Sequence, residues 1–275
     1  MDSSRPSTEQ KRVAFRALHQ SGTFVMPNPW DVGSARLLQH LGFAALASTS
    51  AGFSWSHGRP DYALELPAAL DHLCCLCAAV DVPVNADFQS GFAREPEAVA
   101  DNVRLALETG VAGVSIEDTA VEDASRLYDL GLAVERIRAA QAAITSAGAN
   151  VVLVARTELL LHEPQALQRA TEKLVAFADA GADCLFAPGV HEREHIATLV
   201  RAVAPKPLNV VMGKPGLSVA ELAELGVRRI SVGGALARVA WAAMLEAAKQ
   251  MQSGSFAGLA TGTAARELNA IFGSF

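Results

Sequence analysis

The sequence predicts an α/β fold, a closed (β/α)8 (TIM) barrel in a single domain, and three observations carry that prediction. Short apolar segments alternate with helical patterns eight times across residues 23–251. Such alternation builds a parallel sheet, because each right-handed crossover returns the chain to the same end of the sheet. Three successive segments end in polar or charged residues: Val82–Ala86 runs into Asp87, Ala112–Ile116 into Glu117 and Asp118, and Asn150–Ala155 into Arg156 and Glu158. In a barrel these ends meet on one rim, where the fold carries its chemistry. The turn after the first segment, Pro27-Asn28-Pro29-Trp30-Asp31, is not glycine-rich, which argues against the runner-up, an open doubly wound sheet with a phosphate-binding first turn.

A leading helix is expected over Ser7–Gln20, opened by the capping pattern Ser7-Thr8-Glu9-Gln10 and stopped at Gly22, so that residues 1–22 precede the barrel. Thr23–Met26 is the first strand and Val32–Leu41 its helix, closed by Gly42. Phe43–Ala47 is the second strand; a long polar loop through Trp55, His57, Arg59 and Asp61 leads to the helix Pro67–Val80. Val82–Ala86 pairs with a helix over Glu95–Thr109, Ala112–Ile116 with Ala133–Ala147, and Asn150–Ala155 with Gln165–Ala180. Cys184–Ala187 leads into Glu192–Val203, Pro207–Val211 into Ser218–Leu225, and Arg228–Val232 into Ala235–Met251. Gly110 and Gly181 fall where helices should end, Pro83 and Pro207 where strands should begin. Residues 252–275 form a C-terminal tail, and no internal linker divides the chain.

Composition excludes several classes. A net charge of −6 without a lysine or arginine run argues against nucleic acid, whose binding needs a clustered basic surface. No apolar run is long enough to span a bilayer and Met1–Arg12 lacks a signal-like core, so no membrane partner and a cytoplasmic location are expected. Cys74, Cys75, Cys77 and Cys184 lack the paired spacing of a zinc site and read as reduced core thiols.

The predicted rim collects Trp30 and Asp31, Thr49 and Ser50, Asn85 and Asp87, Glu117 and Asp118, Arg156 and Glu158, and Asn209. Carboxylates crowded into a partly dry pocket are costly unless a cation or proton neutralises them, and hard oxygen donors suit magnesium or manganese. Magnesium takes only one or two protein carboxylates, and Asp87 with Glu117 fits that sparse set. The guanidinium fork of Arg156 suits a substrate carboxylate or phosphate, and Thr49 with Ser50 could bind a second oxyanion. Structural readings stand beside these: Asp87 as a turn cap, Arg156 paired internally with Glu117 or Glu158, Ser50 as a loop hydroxyl. Gly233-Gly234 suits either a phosphate or close packing; His57 is either a mobile acid or solvated; His191 and His195, one turn apart, read as a solvated face.

In combination and in this order, Asn85-Ala86-Asp87 with Ser90-Gly91-Phe92, Ser115-Ile116-Glu117-Asp118, Val154-Ala155-Arg156-Thr157-Glu158 and Leu217–Leu222 resemble the isocitrate lyase/phosphoenolpyruvate mutase superfamily over roughly Met26 to Leu245. The resemblance implies a magnesium-dependent enzyme that cleaves or forms C–C or P–C bonds beside a carboxylate through an enolate. It implies Asp87 and Glu117 at the metal, Asp61 as a further acid near it, and Arg156 on the substrate carboxylate. Thr49, Ser50 and Gly52 match the segment holding the 2-oxo acid, and Asn209 a substrate-side amide. It further implies a homodimer or homotetramer in which the last barrel helix, here Ala235–Met251, is exchanged between subunits.

Three departures shape the expected activity. Asn85 stands where relatives have aspartate; residues 119–126 contain no Cys, Lys or His where the lyases carry Lys-x-Cys-Gly-His; and Gly189 replaces a glutamate or histidine. They argue against a standard isocitrate lyase. The expected reaction is retro-aldol cleavage or decarboxylation of a small 2-oxo or 2-hydroxy di- or tricarboxylic acid, such as oxaloacetate or a methylisocitrate-like acid. The alternatives are a P–C bond enzyme of the phosphonopyruvate type and a non-catalytic 2-oxo acid-binding barrel.

Overall fold

The computed structural model describes residues 5–275; residues 1–4 of the leading segment lie outside it. Eight parallel strands form the barrel wall: β1 (Phe24–Met26), β2 (Leu46–Ala47), β3 (Val84–Asp87), β4 (Gly113–Glu117), β7 (Val152–Arg156), β8 (Cys184–Phe186), β9 (Leu208–Val211) and β10 (Arg229–Ser231), hydrogen-bonded in the order β1-β10-β9-β8-β7-β4-β3-β2. The seam between β1 and β2 is stitched where Ala47 N donates to the Pro27 carbonyl at 3.1 Å. Asn28 reinforces it, donating from Nδ2 to Ser48 O at 3.0 Å while its Oδ1 accepts from Val232 N and Gly233 N, both at 2.9 Å.

Alternation along each strand separates two apolar layers. Outward residues such as Val84, Ala86, Val114 and Ile116 meet the surrounding helices, whereas Met26, Val152, Val154 and Phe186 fill the barrel. The leading helix α1 (Thr8–Leu18) has the expected capping box at Ser7 and drives Phe15, fully buried, into the bottom of the barrel. Its basic residues bind exposed chain ends there: Lys11 Nζ donates to Cys77 O and Val80 O, and Arg12 to Leu107 O and Val111 O. The carbonyls of Cys77, Val80 and Leu107 sit at helix C-termini, where cations are favoured, and that of Val111 precedes β4.

The eight expected strand-helix units are present, with three additions, one of them a single helical turn at Leu159–His162 after Glu158. Thr49 caps a short helix α3 (Ser50–Ser56) where a polar loop was expected, its Oγ1 accepting from Gly52 N at 3.2 Å. Residues expected to form a plain loop after β4 make an antiparallel hairpin, β5 (Thr119–Ala120) with β6 (Asp123–Leu127). The thiols correct one expectation: Cys77 and Cys184 are buried, but Cys74 and Cys75 are exposed on the outer face of α4 (Leu66–Ala79). No helix among the described residues is long and apolar enough to cross a membrane.

Two half-buried histidines are held as neutral rings. His19 packs edge-on against Phe15 and Phe24, and His72 stacks on Phe53 at 3.8 Å; burial pushes both down to about 4. The unfolded chain takes up these protons near the ordinary histidine value, so the stability from neutral rings is complete above about pH 6.5 and is lost as pH falls toward 4. His72→Phe, which preserves the stack, is expected to flatten that loss by about 1–2 kcal/mol. Urea unfolding at pH 7 and pH 4.5 measures it, and equal slopes for variant and parent would contradict the assignment.

Candidate active site

Strand β3 points Asn85 and Asp87 into the barrel and Ala86 outward. Asp87 is the hub. Its Oδ2 accepts from both the backbone N and the Oγ of Ser50, each at 2.9 Å, which anchors the start of α3; its Oδ1 accepts from Arg156 Nη1 at 3.2 Å. The turn beyond it is tightly bent, with Gln89, Gly91 and Phe92 all at positive φ. Such backbone is costly for the two non-glycine residues and is held here by Gln89 O accepting from Glu117 N at 2.9 Å.

Arg156, at the end of β7, lies among three carboxylates: Asp87, Glu117 Oε2 at 3.3 Å from Nε, and Glu158 in close contact with Nε. Its guanidinium also covers the Phe186 ring, 5.1 Å from the centroid. Burial disfavours the charge, but the three acids outweigh it and hold the guanidinium well above its ordinary value. Glu117 is pushed up to about 7 by burial despite Arg156, and Asp61 to about 6 by burial and by Asp87. Two carboxyls that exchange protons near neutrality thus share one site.

Tyr62 joins them. Its hydroxyl donates to Glu117 Oε1 at 2.6 Å and its backbone N donates to Asp61 Oδ1 at 2.9 Å, a double engagement that needs the left-handed φ of 63°. Its phenol is pushed up by burial and by Glu117, so it stays a donor. Tyr62→Phe removes a donor that lowers the Glu117 pKa. A higher pKa for the ionisation seen in kcat/KM and about a tenfold lower rate are expected, as for loss of one hydrogen bond to a charged group. An unchanged pH–rate profile would remove this role.

A second layer fixes the first. Asp118 accepts from Lys173 Nζ at 2.6 Å, Thr157 Oγ1 at 2.7 Å and Glu158 N at 2.9 Å, which sets the backbone that carries Glu158. Arg136, 1 % exposed, donates to Glu117 O and Ala93 O, both at 3.0 Å, and to Ser90 O, tying the ends of β3 and β4 together.

A cavity of about 120 Å³ opens at the C-terminal mouth of the barrel, and Thr49, Ser50, Asp61, Asp87 and Arg156 all line it. Glu117 is linked to this set through Arg156 and Tyr62. The other two expected substrate contacts fall elsewhere. Gly52 is buried behind Thr49, where a Cβ would lie 2.7 Å from Thr49 Cγ2, so its role is close packing. Asn209 is fully buried beneath the rim, accepting from Arg229 Nε at 3.0 Å and donating to Ser231 Oγ at 3.0 Å. His57 sits at the exposed end of α3, outside the cavity lining. Gly233 and Gly234 line the cavity, Gly234 packing closely against Trp55, and Gly189 has φ 95° with Leu160 O 2.9 Å from a Cβ, leaving no room for the glutamate or histidine that the resemblance implies. His191 and His195 lie outside the cavity lining, and among the described residues no three His, Cys, Asp or Glu side chains are grouped as a metal site.

Fold and site together define a (β/α)8-barrel enzyme whose strand ends combine carboxylates with an arginine. The family model for phosphoenolpyruvate phosphomutase matches residues 15–252. A solved structure from Burkholderia cenocepacia, described as a lyase/mutase, superposes with a TM-score of 0.93 at 46 % identity, covering 97 % of both chains. That of 2,3-dimethylmalate lyase, a member of the same superfamily, gives 0.86 at 30 % identity over 95 % of this chain and 94 % of the other. An uncharacterised protein of Mycobacterium tuberculosis is 35 % identical over 80 % of this chain and 82 % of its own. The chain belongs to the phosphoenolpyruvate mutase/isocitrate lyase superfamily.

Proposed function

We propose that the protein is a divalent-metal-assisted lyase that cleaves a C–C bond, by retro-aldol reaction or decarboxylation, in a small 2-oxo or 2-hydroxy di- or tricarboxylic acid. The observation that carries this reading is the convergence of Asp61, Asp87 and Arg156 on one small cavity at the strand C-termini, with Glu117 joined to Arg156. The name of the 2,3-dimethylmalate lyase relative supports a hydroxy dicarboxylate.

The donor set fits a magnesium or manganese ion of sparse protein ligation: Asp87 and Glu117 offer hard oxygens, and Asp61 lines the same cavity as Asp87. An ion held there would supply Lewis-acid stabilisation to negative charge on the substrate. The chain's own groups do the rest. Arg156 pairs with the substrate carboxylate in exchange for one of its acids, and the Thr49–Ser50 turn presents donors to a second oxygen. Asp61, ionisable near neutrality, takes the hydroxyl proton as the C–C bond breaks and the electron pair passes into the enolate; a proton delivered to the enolate carbon completes the product. In a decarboxylation only the last proton delivery is needed.

A panel of oxaloacetate, 2-methylisocitrate, 2,3-dimethylmalate and phosphonopyruvate tests the reading with and without magnesium. Metal-dependent turnover of a carbon acid is expected; turnover of phosphonopyruvate alone would replace C–C with P–C chemistry.

Assembly belongs to the same proposal. The last barrel helix α11 (Ala235–Gln252) buries only Ala237, while Val239, Met244, Leu245 and Met251 are exposed. A helix packed on its own barrel buries a continuous apolar stripe, so this face fits a second copy of the chain. Light scattering is expected to give a dimer or tetramer, and Val239→Glu/Met244→Glu to lower the mass. A monomeric parent protein would remove the exchange.

A further inference from the structure

We propose that Arg229 is a second anion-binding group, placed on the floor of the catalytic cavity, that takes a carboxylate oxygen of the substrate directly. The inference rests on the reading of the protein as an enzyme of small carboxylic acids, and it adds a residue beneath the rim set.

Arg229 lies on β10, is 2 % exposed, and lines the same cavity as Asn85, Asp87 and Arg156. Its guanidinium donates to two neutral amides, from Nε to Asn209 Oδ1 at 3.0 Å and from Nη1 to Asn85 Oδ1 at 3.3 Å. Among the described residues it has no carboxylate within 4.0 Å, and Asp87 acts on it only from a distance. Cys184 nearby supplies no charge, because burial pushes its thiol up to about 11. Arg136, equally buried, also lacks a carboxylate partner among these residues, but it spends its donors on the three backbone carbonyls of Glu117, Ser90 and Ala93 and does not line the cavity; the half-buried Arg156 and Lys173 are paired, Arg156 with Asp87, Glu117 and Glu158 and Lys173 with Asp118.

An arginine cannot shed its proton, and a buried charge without a partner is among the costliest arrangements in a protein. Asn85 and Asn209 orient the fork without neutralising it. An aspartate at residue 85 would neutralise it; the asparagine side chain instead fills the space that Gly113 opposite leaves open, where a Cβ would fall 2.4 Å from Asn85 Oδ1. The missing counter-charge is therefore assigned to the ligand. A carboxylate fits a two-pronged donor, and the second guanidinium at the rim suits a dianion.

Calorimetric titration with oxalate, on protein stripped of metal by a chelator, tests this. The parent chain is expected to bind, and Arg229→Gln to weaken binding by about ten- to hundredfold, as for loss of a charge-assisted bond. Asn85→Asp keeps the side-chain shape and gives Arg229 an internal partner. It is expected to weaken oxalate similarly while unfolding at or above the parent temperature, and to add little in the Arg229→Gln background. No binding by the metal-free parent, or parent-like binding by folded Asn85→Asp, overturns the proposal. If oxalate binding follows the expected pattern but no acid is turned over, the anion site stands and the lyase reading falls. Turnover with oxalate binding indifferent to both substitutions leaves the lyase reading standing without the anion site.

Discussion

Asp87→Ala is expected to lower kcat/KM by about a thousandfold or more, roughly 4 kcal/mol of transition-state stabilisation. The size follows from how many groups one carboxylate arranges. It fixes the first turn of α3 through Ser50 N and Oγ, orients Arg156, and is the central oxygen donor on β3. Asp87→Asn separates these functions. The amide oxygen still accepts from Ser50, so the turn survives, but the charge is gone. Near-complete loss is expected again, with a higher magnesium requirement in any residual rate. An asparagine variant with parental kinetics would show that Asp87 acts only by packing its neighbours.

The second large effect is on stability. Arg156→Met leaves Glu117, Glu158 and Asp87 close together without their shared cation, and breaking a buried pair in this way costs about 3–5 kcal/mol. The sign of its pH dependence follows from Glu117, already pushed up to about 7 with the arginine present. A raised acid favours folding below its unfolded value and loses that contribution as pH rises through the folded one. The variant should therefore be weakest above pH 7 and regain stability toward pH 5 as the acids take up protons. Urea midpoints at pH 5 and pH 8 measure it; a deficit independent of pH would mean that cavity formation, and not uncompensated charge, destabilises the variant.

Much of this was legible in the sequence because barrel grammar is local. Most strands end where an apolar run meets a polar residue, and several helices start and stop at residues with a capping or turn-forming role, so the sequence alone places Asp87, Glu117 and Arg156 on one rim. Tyr62 was not legible: it sits in a loop without periodicity, and its contact with Glu117 spans 55 residues. Arg229 left a faint signal, a charge inside the short apolar strand Arg228–Val232. Only closure of the barrel reveals that it points inward beside Asn85, 144 residues away. Asn209 and Gly52 were assigned to the ligand by resemblance, but the first is fully buried with its amide engaged by Arg229 and Ser231, and the second is closely packed behind Thr49.

The sealed lower end of the barrel also bears on how the protein is made. Strand β1 pairs with β10, and Thr23 Oγ1 donates to Val227 O across 204 residues. Phe15 packs among residues contributed by strands as late as β8. During synthesis β1 therefore waits, without its β10 partner, until the ribosome has released nearly the whole chain. Nascent chains halted before Val227 should remain open to protease at the amino-terminal segment, even where the β3–β4–β7 sheet has already formed, and protection should arrive in one late step when β10 emerges.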